Sequence, residues 1–386
     1  MARPFKVTRL KWTDIALEKL KLPARTMKLT LGLGSGLAVR AGDTSGTLWA
    51  IGDRGPNLKL KDAIADYGLD VLKPHMGEKG AKLIPRPGIG PAIVELRLAG
   101  DSIEHVRTLA LTGRRGRPIS GLPIPGGEGR EVEPAYDLNG NACPDDPSGA
   151  DTEALVALSN GSFVVVEEYG PSIMKVNAKG CITMRWVPEG TEGALDGADY
   201  PVAGVLPASA AARRLNRGFE ALALSPDEKA LYVMFQSAPE GSTGAPVVPV
   251  LKLSARTGKL LATYAYPFDK PKSFRRDAAA GKVDEDDLKV SEVVALDGET
   301  LLVLERITET AKLYAVRLPR AMAGEVPVLE KRLVFSTDDV PRIGPDVEGV
   351  ALLTPTTLIL VTDNDFGVAG AKTEFWKIEF ATALSA

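Results

Sequence analysis

Apolar runs of strand length, each broken by Gly, Pro, Asp or Asn, fill most of this chain, and one arrangement of them recurs. A carboxylate opens an apolar run, a polar turn follows, and a second apolar run ends on polar groups. The clearest copy is Phe219-Glu220-Ala221-Leu222-Ala223-Leu224, the turn Ser225-Pro226-Asp227, then Ala230-Leu231-Tyr232-Val233-Met234-Phe235-Gln236. In the others, Glu153 opens a run that leads to Phe163-Val164-Val165-Val166-Glu167-Glu168, Glu292 one that leads to Leu301–Arg306, and Glu348 one that leads to Leu358–Asp365. A weaker first copy joins Ser35–Val39 to Thr47–Arg54, with Ser35 in the place of the carboxylate. Short apolar runs bounded by turn residues read as buried strands, so the chain writes one hairpin five times.

Further strands follow the hairpins. Ser172–Val176 and Cys181–Trp186 flank the turn Asn177-Ala178-Lys179-Gly180, and Val250–Leu253 and Lys259–Tyr264 flank Ala255-Arg256-Thr257-Gly258. The unit is therefore four strands, and repetition of such units predicts an all-β β-propeller. Copy count gives five blades, or six if residues 57–111 form their own sheet. The fifth copy ends with a single further strand, Thr373–Phe380, and residues 5–31 alternate apolar and polar side chains, so an N-terminal strand is expected to close the ring. Within 5–31, Ile15–Leu20 reads as a strand or as a helical turn capped by Asp14. The copies span nearly the whole chain and predict a single domain, 1–386, with loop insertions near 57–90 and 112–150. Helical signal is confined to an Ala-rich piece near 207–215 and an acidic one at 284–289.

Composition narrows the function. Of 386 residues 44% are hydrophobic and 25% charged, with a net charge of -3, which leaves no basic footprint for nucleic acid. No apolar run reaches the roughly 20 residues of a membrane span. Residues 1–7 hold no apolar signal segment, so either a cytoplasmic protein or one whose export signal was trimmed is expected. Cys143 and Cys181 are too few for a disulfide framework; one bridge or two free thiols remain open, the bridge being favoured for an exported protein. With His75 and His105 as the only histidines, neither a Ser-His-Asp triad nor a histidine metal site is expected.

The candidate chemistry lies in the repeated acids. First strands of propeller blades line the central channel, so Glu153, Glu220, Glu292 and Glu348 should stand around one axis. The second strands end on Asp53, Glu167 with Glu168, Gln236, Glu305, and Asp363 with Asn364 and Asp365. From the first-strand acids these lie 14 (153 to 167), 16 (220 to 236), 13 (292 to 305) and 15 (348 to 363) residues on. Crowded carboxylates need compensation. A hard divalent cation, Ca²⁺ first, is one source. Arg54, Arg217 and Arg306 are another, and a third reading makes the glutamates acceptors for backbone amides between blades.

At these residues the chain resembles the phytase-like esterase family, the "esterase-like activity of phytase" domain. The matching pieces are Asp53-Arg54-Gly55-Pro56, Cys143-Pro144-Asp145-Asp146-Pro147, Asp151-Thr152-Glu153, Glu167-Glu168-Tyr169-Gly170-Pro171-Ser172, Asn216-Arg217-Gly218-Phe219-Glu220, Leu304-Glu305-Arg306, Val347-Glu348-Gly349 and Asp363-Asn364-Asp365-Phe366-Gly367. The resemblance implies a bacterial propeller, periplasmic or secreted, with hydrolytic activity. The resulting expectation is a metal-dependent hydrolase of a small-molecule ester or phosphoester at the channel mouth. Glu153, Glu220, Glu292, Glu348, Asp53, Glu167 and Asp363 would bind the metal, and Glu168, Arg54, Arg217 and Arg306 would carry catalysis. A non-catalytic binding platform with a structural cation and a lactonase-type hydrolase are the alternatives.

Overall fold

The computed structural model describes residues 5–127, 131–240, 247–320, 322 and 324–384. It is an all-β architecture built on five larger sheets, each ordered outward from a first strand. Sheet one comprises Gly36–Ala38, Thr47–Ile51, Ala92–Ala99 and Ser102–Ala110; sheet two Thr152–Ala157, Phe163–Glu167, Ser172–Val176, Ile182–Pro188 and Val202–Leu206. Sheet three runs from Phe219–Leu224 through Ala230–Phe235 and Val247–Ser254 to Leu260–Pro267. Sheet four has Lys289–Ala295, Thr300–Arg306, Ala311–Arg317 and Lys331–Ser336, and sheet five Val347–Thr354, Thr357–Thr362, Phe375–Phe380 and Phe5–Leu10. The N-terminal strand pairs antiparallel with Phe375–Phe380, from Phe5 opposite Phe380 to Leu10 opposite Phe375.

The apolar runs are continuous because both faces of each sheet are covered, and alternate residues serve opposite faces. Phe163 and Val165 of sheet two join a core with Trp49 and Ile51 of sheet one, while Val164 and Val166 join one with sheet three. Leu301 and Val303 of sheet four face sheet three, whereas Leu302 and Leu304 face Leu358 and Leu360 of sheet five. Ile359 and Val361 then meet Leu48 and Ala50 of sheet one. The first strands adjoin in the same order: Gly36–Ala38 lies beside Thr152–Ala157 and Val347–Thr354, and Phe219–Leu224 beside Thr152–Ala157 and Lys289–Ala295.

Several local expectations change. Residues 57–90 contain the helix Leu60–Tyr67, which ends at Gly68 with the left-handed φ of 70° that a helix C-terminus favours. Leu58–Lys59, Lys82–Leu83 and Ala135–Tyr136 form a small separate sheet, so the two insertions fold together rather than as two loops. Ala16–Lys21 is a strand paired with Thr26–Thr30, not a helical turn. The Ala-rich and acidic pieces give only the short 3-10 turns Ala208–Ala211 and Glu285–Asp287. Cys143 and Cys181 are both free, so the bridge favoured for an exported protein is not formed. Titration of the denatured protein without reductant should find both thiols.

Leu10 tests the N-terminal pairing, since it is buried at 3% exposure in the core shared by sheets five and one. Leu10→Ala should lower the unfolding free energy by about 2–5 kcal/mol. Urea denaturation measures it; a change within experimental error would mean that this strand is not part of the core.

Candidate functional site

A repeated irregularity in the ladders builds the site. The first strand slips register between Thr152 and Ala154, Phe219 and Ala221, Val290 and Glu292, and Val347 and Gly349. The residue set apart at each bulge is Glu153, Glu220, Ser291 and Glu348. A bulge re-aims one side chain and ends regular pairing, a common device beside functional sites. At the ends of the second strands the corresponding polar groups are Glu168, Gln236, Arg306 and Asp363, and with Asp53 they line one cavity.

Glu292 is therefore one residue away from the position expected of it; Ser291 holds that place. Side chains alternate along a strand, so a slip of one residue reverses the face. The Glu292 carboxylate accepts the amides of Leu37 (3.2 Å) and Val293 (3.1 Å), a backbone staple away from the cavity. Glu167 is likewise turned aside. It accepts the amides of Tyr169 and Gly170 at 3.0 and 3.1 Å and pairs with the fully buried Arg185 at 2.7 Å. Glu305 receives Tyr266 Oη and the Asp269 amide, both at 2.7 Å, and Lys331 at 2.6 Å. Neither of the last two lines the cavity.

The cavity holds about 300 Å³ and is walled almost wholly by polar groups, among them Asp53, Glu153, Glu168, Glu220, Glu348, Asp363 and Asp365. Carboxylate oxygens of Asp151, Glu153 and Glu168 lie within 4.8 Å of one another, as do those of Glu153, Glu220 and Glu348. Glu153 belongs to both groups. Glu220 accepts Gln236 Nε2 at 2.5 Å through one oxygen. Its Oε2, and Oε1 of Glu168, are buried with no hydrogen-bond donor among the described residues.

Two arginines hold the wall. Arg54 is paired with Glu133 (2.5 Å), with Asp151 and, at 3.7 Å, with Glu168, and donates to Asn216 Oδ1 at 2.6 Å. Arg306 is paired with Glu348 and Asp346, and its Nε donates to Ser291 Oγ at 2.7 Å. Arg217 has no carboxylate within ion-pair distance among the described residues; it donates to the carbonyls of Leu288 and Asp286 at 3.3 and 3.0 Å. Asn216 and Asp346 reach these arginines from left-handed backbone, φ 54° and 52°, a conformation rarely adopted outside Gly, Asn and Asp.

Burial, more than any neighbour, pushes the acids toward their protonated forms. Asp53, Glu153, Glu168 and Asp363 are raised well above the usual range, with like charges such as Glu220 beside Glu153 adding to it. Glu220 is pushed up to about 7 by burial and then by Glu348. Two lysines enter the same wall. Lys289, opposite Arg306 in the ladder, is lowered to about 8 by that arginine and by burial. Lys82 is lowered by burial and then by Arg54. Lys59, Lys82, Lys289, Asn57 and Glu133 went unnoticed in the sequence. Lys289 precedes a copy of the repeat and had a signal; the others sit in insertions with no repeat to mark them.

A family model described as esterase-like activity of phytase matches residues 30–366. The chain belongs to this phytase-like family. An uncharacterized secreted protein of Arthroderma benhamiae is 27% identical over 240 residues, which are 54% of this chain and 44% of that protein; the chain thus matches less than half of the relative's length. The PQQ-bound aldose sugar dehydrogenase of Streptomyces coelicolor is similar at 11% identity, over 97% of this chain and 98% of that one, with a TM-score of 0.33. The β-propeller domain of Cps50 (Swd1) from Myceliophteria thermophila has 10% identity, 94% and 99% coverage and a TM-score of 0.36. At these scores the structural likenesses carry no argument about chemistry.

Glu220 gives the pH dependence a sign. Its pKa rises from 4.5 to about 7 on folding, so it favours the fold below 4.5 and this contribution is lost as pH climbs through 7. Glu220→Gln removes the titration. In EDTA the variant should gain stability relative to wild type as pH rises from about 5 to 8, by at most about 3 kcal/mol. Urea unfolding at several pH values checks this, and a pH-independent difference contradicts it.

Proposed function

We propose that this phytase-like protein is a metal-dependent hydrolase of an ester or phosphoester, acting at the channel mouth of a five-bladed propeller closed by the N-terminal strand. The neighbour order of the first strands and the shared cores support the closed ring. The observation that carries the chemistry is the pair of orphaned carboxylate oxygens, on Glu168 and Glu220, within the two acid groups that share Glu153. Buried acceptors without a donor are costly, and a divalent cation satisfies them. Glu153, Glu168, Glu220 and Glu348 would hold it, with Asp53 and Asp363 in the same wall. An all-oxygen set suits Ca²⁺.

When bound, the ion supplies Lewis-acid polarisation of the scissile group. The chain's own residues supply the rest. Arg217, Lys82 and Lys289 reach the cavity without an ion-pair partner among the described residues, and they would receive the negative charge of the substrate or of its transition state. Arg54 and Arg306 keep the acids in place through their pairs rather than by touching substrate. These same pairs favour a second reading, a binding platform whose cation is structural, because they already offset part of the acid charge. A periplasmic or secreted location is in keeping with the secreted relative.

The two readings part on turnover. Purified protein stripped with EDTA should hydrolyse p-nitrophenyl phosphate or p-nitrophenyl acetate only after calcium is restored. Calcium should also raise its melting temperature. Arg217→Ala should keep the thermal shift and lose most turnover, about tenfold or more. A calcium-dependent shift without turnover would select the platform; no shift at all would reject both.

A further inference from the structure

A second cavity, of about 380 Å³, adjoins the acid cavity and shares Lys59, Lys82 and Asn216 with it. The small sheet of the insertions builds the boundary. It pairs Leu58 with Leu83 and Lys59 with Lys82, and residues directly opposite each other share a face. Leu58 and Leu83 enter an apolar core, so Lys59 and Lys82 stand together on the other face, toward the two cavities. Lys61, in the first turn of the helix Leu60–Tyr67, lines the second cavity only.

Like charges directly opposite in a ladder cost stability unless something offsets them. Among the described residues no carboxylate lies within ion-pair distance of Lys59, Lys61 or Lys82, although Lys79, close by in sequence, is paired with Glu131 at 2.7 Å. The acids of this cavity are already engaged. Glu133 is paired with Arg54 at 2.5 Å, and Glu78 accepts Tyr136 Oη at 2.5 Å and meets His75 Nδ1 at 2.8 Å. Burial and then Arg54 depress the Lys82 ammonium, Lys59 adds to the effect, and the pull of Glu133 and Asp151 does not outweigh them. Three ammonium groups thus line a concave space without a counter-charge of their own. Such a wall attracts an anion.

We propose that the substrate of the acid cavity carries a second anionic group, phosphate or carboxylate, which Lys59, Lys61 and Lys82 hold in the adjoining cavity. This rests on the reading of the acid cavity as a hydrolytic site. Lys59 and Lys82 border both spaces, so a molecule filling the two passes beside them, while Lys61 reaches only the part remote from the scissile group. A neutral tail would leave the lysines uncompensated, and a cationic one would be repelled.

Phosphonates resist hydrolysis, so calorimetric titration of the full chain with them, in calcium buffer, tests the proposal apart from turnover. Butane-1,4-diylbisphosphonate and 5-phosphonopentanoate carry the second anion, butylphosphonate lacks it, and 4-aminobutylphosphonate reverses its sign. The two doubly anionic probes should bind about tenfold or more tightly than butylphosphonate, and the aminoalkyl probe more weakly than it. Lys61→Gln should remove most of that preference, and Lys59→Gln serves if the first variant loses its circular-dichroism signature. Equal affinity of the doubly anionic probes and butylphosphonate, no binding of the doubly anionic probes, or an undiminished preference in the folded variants would overturn the proposal. Turnover of p-nitrophenyl phosphate without the preference would reject this inference and keep the hydrolase reading. The preference without turnover of any ester would keep the lysine site and reject the hydrolase reading.

Discussion

Confinement of like charge is the constraint on which the rest of this structure depends. The bulges re-aim Glu153, Glu220 and Glu348 into one small space, where Asp53, Glu168, Asp363 and Asp365 join them. Each carboxylate there loses water and gains a repelling neighbour, and both effects disfavour the ionised form. The fold answers with arginines that are themselves locked: Arg54 by Glu133, Asp151 and Asn216, and Arg306 by Glu348, Asp346 and Ser291. Compensation is incomplete where Glu168 and Glu220 each keep a buried oxygen without a donor among the described residues. A site that stays imperfectly satisfied in its own protein is a candidate for an outside ligand.

The sheets can afford this strain because their apolar packing is ordinary. The second strands of sheets one, two, four and five send alternate residues into two cores, and the acids at the strand starts rest on this frame. Glu292, Glu167 and Glu305 show the other use of buried acids. They are saturated by backbone amides, hydroxyls or a single cation, and the cavity does not include them. Position in the ladder, not residue type, separates the two groups.

That distinction explains what could be read from the sequence. Apolar runs and turn residues marked all five hairpins and the strand near the N-terminus that pairs with Phe375–Phe380. Glu153, Glu220 and Glu348 were also legible, because they recur before Ala or Gly and an apolar run. In sheet four the chain reads Ser291-Glu292, and the acid drew the eye to the wrong residue. Only the bulge, a matter of pairing, shows that Ser291 is the counterpart. Counted from the bulged residues, the offsets become 15 (153 to 168), 16 (220 to 236), 15 (291 to 306) and 15 (348 to 363), tighter than the 13 to 16 counted from Glu153, Glu220, Glu292 and Glu348. Lys82 and Glu133 lay beyond such reasoning. They arrive through insertions whose strands pair with each other over a long sequence separation, and no local pattern announces that contact.

Proton-linked cation binding is the property of the acid cavity that can be measured most directly. Acids held partly protonated by burial must release protons when a cation takes their place. Titration of EDTA-stripped protein with calcium, in buffers of different ionisation enthalpy near pH 6 and pH 8, measures both affinity and protons. The account predicts saturable binding, tighter at the higher pH, with release of about one proton or more per ion near pH 6. Binding that is independent of pH and releases no protons, or no binding at all, would contradict it.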